Sequence, residues 1–92
     1  INLDSEKIFL IKIEIYSKDL CAHCSRAKNL LNNLEIPFTE IDVTNPEELH
    51  TMLKRSGGAR SVPQIFINQV HIGGANELSA LANRGELQKL IT

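Results

Sequence analysis

Cys21-Ala22-His23-Cys24-Ser25-Arg26-Ala27-Lys28-Asn29-Leu30-Leu31 is the stretch around which the rest of the chain is organised. Its two cysteines are the only ones in the sequence, and they stand three positions apart. Behind them Ala27, Leu30, Leu31 and Leu34 recur at spacings of three and four, which describes one face of an α-helix. Counting back at that period puts Cys24 on the buried face and Cys21 at the first residues of the helix. There, unpaired backbone N–H groups point outward and favour a thiolate, the nucleophilic form of the side chain. The first cysteine is placed to react and the second stands just behind it, which is a redox arrangement.

Other uses of the pair fit less well. A structural disulfide constrains the unfolded chain more when it closes a long loop. Zinc needs four ligands, and His50 and His71 lie far off and do not form a ligand-like pair. Haem attachment needs His after the second cysteine, where this chain has Ser25. Two incidental buried cysteines are the alternative left open. The strand-before, helix-after context favours redox chemistry.

Ninety-two residues bound the answer to one domain, 1–92, with an adequate but not large core. The chain is 42% hydrophobic and 23% charged, ordinary for a soluble globular protein. Ten basic against eleven acidic residues leave a net charge of −1, so no basic field is available to hold nucleic acid. The longest apolar run, Ile8 to Ile11, is too short to cross a membrane, and no secretory signal precedes it. Close cysteines without an export signal suggest the reducing cytoplasm, where they would cycle rather than staple. The chain begins at Ile1 rather than Met, so residues are expected upstream.

Residues 1–7 are polar, without a period, and read as a short arm. Phe9, Ile11, Ile13 and Ile15 alternate with Leu10, Lys12 and Glu14, a strand signature. Ser17 to Leu20 lead into the cysteine helix, expected to run to about Leu34, and a second strand spans Phe38 to Val43 after Pro37. Two parallel strands joined by a helix make a right-handed βαβ unit. Asn45, Pro46 and Glu48 open the next helix in a capping-box pattern, with Leu49, Met52 and Leu53 as its apolar face. Lys54 and Arg55 suit its negative end, and Gly57-Gly58 stop it. Gln64–Ile67 and Val70–Ile72 form a hairpin about Asn68-Gln69, broken by Gly73-Gly74. Asn76 is expected to cap a short helix through Leu78, Leu81 and Ala82, closed by Arg84-Gly85. A last turn then places Leu87, Leu90 and Ile91 on the core. The order β-α-β-α-β-β-α, with a reactive pair after the first strand, matches the thioredoxin-like α/β fold, a mixed four-stranded sheet flanked by helices.

Two further segments belong to the cleft of such a fold. Ser61-Val62-Pro63 precedes the third strand, where proline is also ordinary as a turn that starts a hairpin. In a thioredoxin-like fold a cis proline lies beside the reactive cysteine, and the backbone of Val62 would then be free to pair with an extended substrate. Gly73-Gly74-Ala75-Asn76-Glu77 offers a second docking point, because glycines admit a ligand close to the backbone and a helix N-terminus holds a carboxylate.

Lys18-x-x-Cys21-x-x-Cys24, Ser25-Arg26-Ala27-Lys28, Ser61-Val62-Pro63-Gln64-Ile65-Phe66-Ile67 and His71-Ile72-Gly73-Gly74 together resemble the small bacterial dithiol glutaredoxins. The resemblance covers roughly residues 12–91, and several motifs in the right order are more specific than any one of them. It implies a glutathione–disulfide oxidoreductase that reduces glutathione mixed disulfides and protein disulfides, with glutathione as co-substrate and no metal. Cys21 would be the attacking thiolate and Cys24 the resolving thiol. The glutathione site would be made by Lys18, His23, Ser61, Val62, Pro63, Gly74, Ala75, Asn76 and Glu77. In it the Val62 backbone takes the cysteinyl part, and the N–H groups of Asn76 and Glu77 take the γ-glutamyl carboxylate. Disulfide-bonded proteins, ribonucleotide reductase among them, would be partners of a monomer that binds neither nucleic acid nor membrane.

The chain departs from that family at three points. Ala22-His23 stands where Pro-Tyr is usual, and Ser61 where Thr is usual. Asn76 stands where an Asp commonly holds the γ-glutamyl ammonium, a job Glu77 could take. His23 reads either as an exposed spacer or as an imidazolium that favours the Cys21 thiolate. Lys18 and Arg60 read as substrate contacts or as solvated cations. His50 and His71 read as exposed, while Tyr16 and the phenylalanines read as core or near-core. The rival readings are a redoxin fed by thioredoxin reductase that supplies ribonucleotide reductase, and a dimer holding a [2Fe–2S] cluster through Cys21 and glutathione.

Overall fold

Ile13, Glu14, Ile15, Tyr16 and Ser17 are all buried, which marks their strand as the one covered on both faces. In the computed structural model, which describes residues 11–90, this strand is β1 (Ile13–Ser17). It is followed by α1 (Ala22–Asn33), β2 (Thr39–Asp42), α2 (Pro46–Ser56), β3 (Gln64–Ile67), β4 (Val70–Gly73), α3 (Ala75–Asn83) and α4 (Glu86–Lys89). The sheet order is β2-β1-β3-β4, with β1 parallel to β2 and antiparallel to β3, and β3 antiparallel to β4. This is the mixed four-stranded sheet of the thioredoxin-like fold. The expected arm at 1–7, together with Phe9, Leu10 and Ile91, lies outside the described residues.

Alternation along the central strands sorts the core into two layers. Ile13 and Ile15 of β1 and Ile65 and Ile67 of β3 meet Ala27 and Leu31 of α1, Leu78 of α3 and Leu87 of α4. The opposite face carries Tyr16 and Phe66, which pack with Val43 and with Met52 of α2. Fully burying each large side chain contributes about 1.5–3 kcal/mol. Glu14 belongs to this second face and is buried too, so the alternation of apolar and polar residues does not make β1 a half-exposed strand. Its carboxylate is met by Arg55, which reaches back from the end of α2 with a bidentate pair at 2.9 and 3.2 Å. The guanidinium also donates to the Tyr16 hydroxyl at 2.8 Å and lies 4.1 Å above the Phe66 ring centre.

Local signals are met with a few corrections. Asn45 caps α2 by accepting from Glu47 N–H at 3.0 Å, Pro46 is its first residue, and Gly57 ends it with φ of 73°. The capping box does not close, because the Asn45 N–H points to the Asp42 carbonyl at 3.4 Å. At the hairpin, Asn68 and Gln69 both have positive φ, 50° and 72°, as a two-residue turn of matching twist requires. Asn68 is held further by exchanging two 2.8 Å bonds with the Lys12 backbone, and Gln69 by accepting from Arg55 at 3.0 Å. Asn76 does not cap α3. Gly74 occupies that position, and Asn76 lies one residue inside the helix. Leu87 is buried as expected, but Leu90, just past the end of α4 at Lys89, is exposed. Among the described residues no helix is long and apolar enough to cross a membrane.

Glu40 ties β2 to its neighbours, accepting from Lys28 Nζ of α1 at 2.9 Å and from Ser17 Oγ of β1 at 2.8 Å. These bonds, Lys28 first, hold its carboxyl below the ordinary value of 4.5. A group lowered on folding stabilises the folded state fully above its unfolded value and loses that contribution as pH falls through the folded one. Glu40→Gln is therefore expected to be less stable than the parent at pH 7. That difference should shrink as urea midpoints are taken from pH 5 downwards, and a pH-independent difference would contradict the assignment.

Candidate active site

Cys21 is the N-cap of α1, with extended backbone, and its carbonyl accepts the first helical bond from Ser25 N–H at 3.1 Å. Its sulfur accepts from the Cys24 N–H at 3.2 Å, which is a side-chain cap made by a cysteine. Cys24 is 1% exposed, under the first turn, while Cys21 is only half-buried. The two form a disulfide, with Cα atoms 5.2 Å apart. The chain reaches this position through Leu20, exposed and at φ of 58°, a left-handed turn that swings Cys21 off the end of β1. In the reduced state, the same N–H and the end of the helix dipole face the Cys21 sulfur and favour its thiolate.

Across from it, the Val62 carbonyl oxygen lies 3.8 Å from the Cys21 sulfur, and the Val62–Pro63 peptide is cis. Val62 stands outside the sheet ladder, since β3 begins at Gln64. An open cleft of about 380 Å³ extends from here, lined by Ser61, Val62 and Pro63, by Gly73 to Glu77, and by His23 and Arg26 of α1. The fold thus brings eight of the predicted glutathione-site residues to one cleft: His23, Ser61, Val62, Pro63, Gly74, Ala75, Asn76 and Glu77. Lys18 is not among the lining residues. It is exposed just after β1 and makes no ion pair among the described residues. Arg60 is exposed next to the cleft-lining loop, and His50 is exposed on α2. No group of His, Cys, Asp and Glu that could hold a metal ion occurs among the described residues.

The two glycines have a packing role that the sequence did not disclose. Gly73 has φ of 121°, and a Cβ there would lie 2.8 Å from Glu77 Cγ, because the Glu77 side chain folds over it. A Cβ at Gly74 would stand 3.3 Å from the Pro63 carbonyl oxygen, so this glycine lets the α3 end approach the cis-proline loop.

Three side chains carry more of the site than sequence reading assigned them. Gln64 is buried and donates to the Ser61 carbonyl at 2.9 Å and to the Ser61 hydroxyl at 3.2 Å. Its amide oxygen meets His71 Nε2 at 2.6 Å, and the His71 ring lies against Phe66 with centres 4.9 Å apart. His71 is exposed, but it holds Gln64, and Gln64 holds the loop that faces the sulfur. The hairpin register could have disclosed this, since a turn at 68–69 pairs Phe66 with His71 and puts Gln64 on the same face.

Arg26 is the third. Its Nη2 donates to Asn76 Oδ1 at 2.7 Å and contacts His23 Nδ1 at 3.2 Å. A guanidinium has only donors, so Arg26 is the donor wherever this contact is a hydrogen bond. His23, read from the sequence as an exposed spacer or as an imidazolium beside Cys21, is exposed on the cleft rim with its Nδ1 toward Arg26.

Residues 13–72 match the family model for glutaredoxin. The chain belongs to the glutaredoxin family. It is 43% identical over 83 residues to glutaredoxin 3 of Escherichia coli, covering 89% of this chain and 99% of that one. To glutaredoxin 1 of Rickettsia felis it is 41% identical over 87 residues, covering 92% and 85%. The solution structure of a glutaredoxin from Brucella melitensis superposes with a TM-score of 0.73 at 42% identity, over 87% of each chain. A crystal structure of a buckwheat glutaredoxin–glutathione complex gives 0.78 at 26% identity, over 94% of this chain and 81% of that one. Family and fold make this glutaredoxin a thiol–disulfide oxidoreductase, with Cys21 and Cys24 as its C-x-x-C pair.

Proposed function

We propose that this glutaredoxin reduces glutathione mixed disulfides and protein disulfides, with glutathione as its electron source. The observation that carries the reading is the placement of the Cys21 sulfur at the α1 N-terminus, 3.8 Å from the Val62 carbonyl, where the cleft begins. The likeness to a glutaredoxin solved with glutathione supports the same reading.

With a glutathionylated protein, the Cys21 thiolate attacks the glutathione sulfur. The old S–S bond breaks, the protein sulfur leaves as a thiolate and takes a proton, and Cys21 carries the glutathione. A second glutathione thiolate attacks that adduct and departs as oxidised glutathione, returning Cys21 to its thiolate. With a protein disulfide, Cys21 instead forms the mixed disulfide with the protein. Cys24 then loses its proton and attacks Cys21, releasing the reduced protein and leaving the Cys21–Cys24 disulfide for two glutathiones to reduce. A thiolate favoured by the helix end both attacks and leaves readily near neutral pH. The Val62 backbone would pair with the cysteinyl part of glutathione, and the N–H groups at the start of α3 would take its γ-glutamyl carboxylate. A reducing compartment such as the cytoplasm suits the cycle.

The test is turnover of a glutathionylated peptide with glutathione, glutathione reductase and NADPH. Saturable NADPH oxidation that needs glutathione is the expected result. Turnover that runs with thioredoxin and its reductase but not with glutathione would refute the reading.

A further inference from the structure

Ser61 is bound at two atoms by a side chain that the redox step does not use. Gln64, 5% exposed, donates from Nε2 to the Ser61 carbonyl at 2.9 Å and to the Ser61 hydroxyl at 3.2 Å. A carbonyl only accepts, so the amide nitrogen faces Ser61 and the amide oxygen faces His71 Nε2, 2.6 Å away. His71 Nε2 therefore carries a proton and donates, as a neutral ring protonated there or an imidazolium would. The carbonyl held at the far end of this chain belongs to the peptide that carries the Val62 N–H. That peptide is trans and planar, so fixing its C=O also aims the N–H, which points the opposite way. Val62 is the residue beside the Cys21 sulfur, and it stands outside the β3 ladder.

We propose that His71 is a positioning residue for glutathione docking. It holds the Gln64 amide, and through it the Ser61–Val62 peptide, in the orientation in which the Val62 N–H receives the cysteinyl backbone of a glutathione mixed disulfide. The inference rests on the glutathione reading and deepens it. Without a donor at position 71 the buried Gln64 oxygen loses its partner. The amide relieves this by turning away, which frees the Ser61–Val62 peptide. The effect falls on docking and not on the sulfur, because the Cys21 thiolate is favoured by the Cys24 N–H and the α1 end. His71 and Gln64 also line the cleft, so direct contact with substrate is the competing role.

The experiment measures kcat/KM for a glutathionylated peptide, with the rate of Cys21 alkylation by iodoacetamide as a readout of the thiolate alone. His71→Phe keeps a ring against Phe66 and loses the N–H. His71→Gln loses the ring and restores an amide N–H at a similar reach. His71→Phe should lower kcat/KM about three- to tenfold, the range expected from one lost hydrogen bond, and His71→Gln should stay within about twofold of the parent. Both should be alkylated at the parent rate. In a Gln64→Leu background, which has no amide to hold, His71→Phe should cost nothing further. A His71→Phe enzyme as active as the parent, or a His71→Gln enzyme as impaired as His71→Phe, overturns the proposal. So does an equal cost of His71→Phe in both backgrounds, the result of direct contact with substrate, or an alkylation rate that falls with turnover. A parent that reduces a protein disulfide but not the glutathionylated peptide refutes the glutathione reading itself and this proposal with it.

Discussion

Cys21→Ser should lose turnover of a glutathionylated peptide by several orders of magnitude, while Cys24→Ser keeps most of it. The asymmetry follows from position. Cys21 is half-buried, with its sulfur 3.8 Å from the carbonyl of the cleft-lining Val62, and Cys24 is the only other cysteine in the chain. Cys24 is buried beneath it and is needed only when the first disulfide must be resolved from within. With a protein disulfide as substrate, Cys24→Ser should therefore stall at the mixed disulfide, which non-reducing gels or mass spectrometry would trap. The substitution also puts a hydroxyl where a sulfur is 1% exposed, and an unpartnered buried hydroxyl costs about 1–3 kcal/mol of stability. Equal loss of peptide turnover in the two variants would contradict the division of labour.

Arg55→Ala should be strongly destabilising, at about 3–5 kcal/mol. Removing the guanidinium leaves the Glu14 carboxylate, with side-chain exposure of 10%, without its bidentate partner. It also removes the donor to the Tyr16 hydroxyl and the cation over Phe66. Against a total stability of about 5–15 kcal/mol for a domain of this kind, that is a large share. Replacing the pair together, as Glu14→Leu/Arg55→Met, should recover most of the loss, since a buried ion pair often gains little over well-packed apolar residues. Urea unfolding of the three variants decides the matter, and a cost below about 1 kcal/mol for Arg55→Ala would mean the pair behaves as a solvated surface contact.

What could be read from the chain was local in origin. The period of three and four behind Cys24 named the α1 face, and Cys24, Ala27 and Leu31 are the residues α1 buries. Asn45, Pro46 and Gly57 marked both ends of α2 because caps act within one turn of the residue that makes them. The capping box failed for the same reason in reverse. A neighbouring carbonyl, that of Asp42, competed for the Asn45 N–H, and one sequence pattern does not weigh such competitors.

The cleft residues were legible in a different way. Cys21 was read from the spacing of its pair, and Ser61-Val62-Pro63 and Gly73-Gly74 from backbone chemistry and the order of elements. The sheet order then set Val62 beside the Cys21 sulfur and the glycines in the same cleft as Val62. Spacing alone gives no distance between residues 21 and 62. Their approach follows from β1 and β3 being antiparallel neighbours, which puts the end of one strand beside the start of the other.

From its own residues, then, the sequence determined the elements and the redox pair, because each depends on contacts within a turn or along a strand. Only the tertiary structure decided the partners of the polar side chains. Arg55 seemed placed for its own helix end and went instead to Glu14, 41 positions away. His71 seemed a surface residue and holds Gln64. Arg26 seemed part of a motif and joins His23 to Asn76, 50 positions on. Long side chains have several acceptors within reach, and the choice among them is made by the desolvation of whichever group the packed sheet and helices have already enclosed.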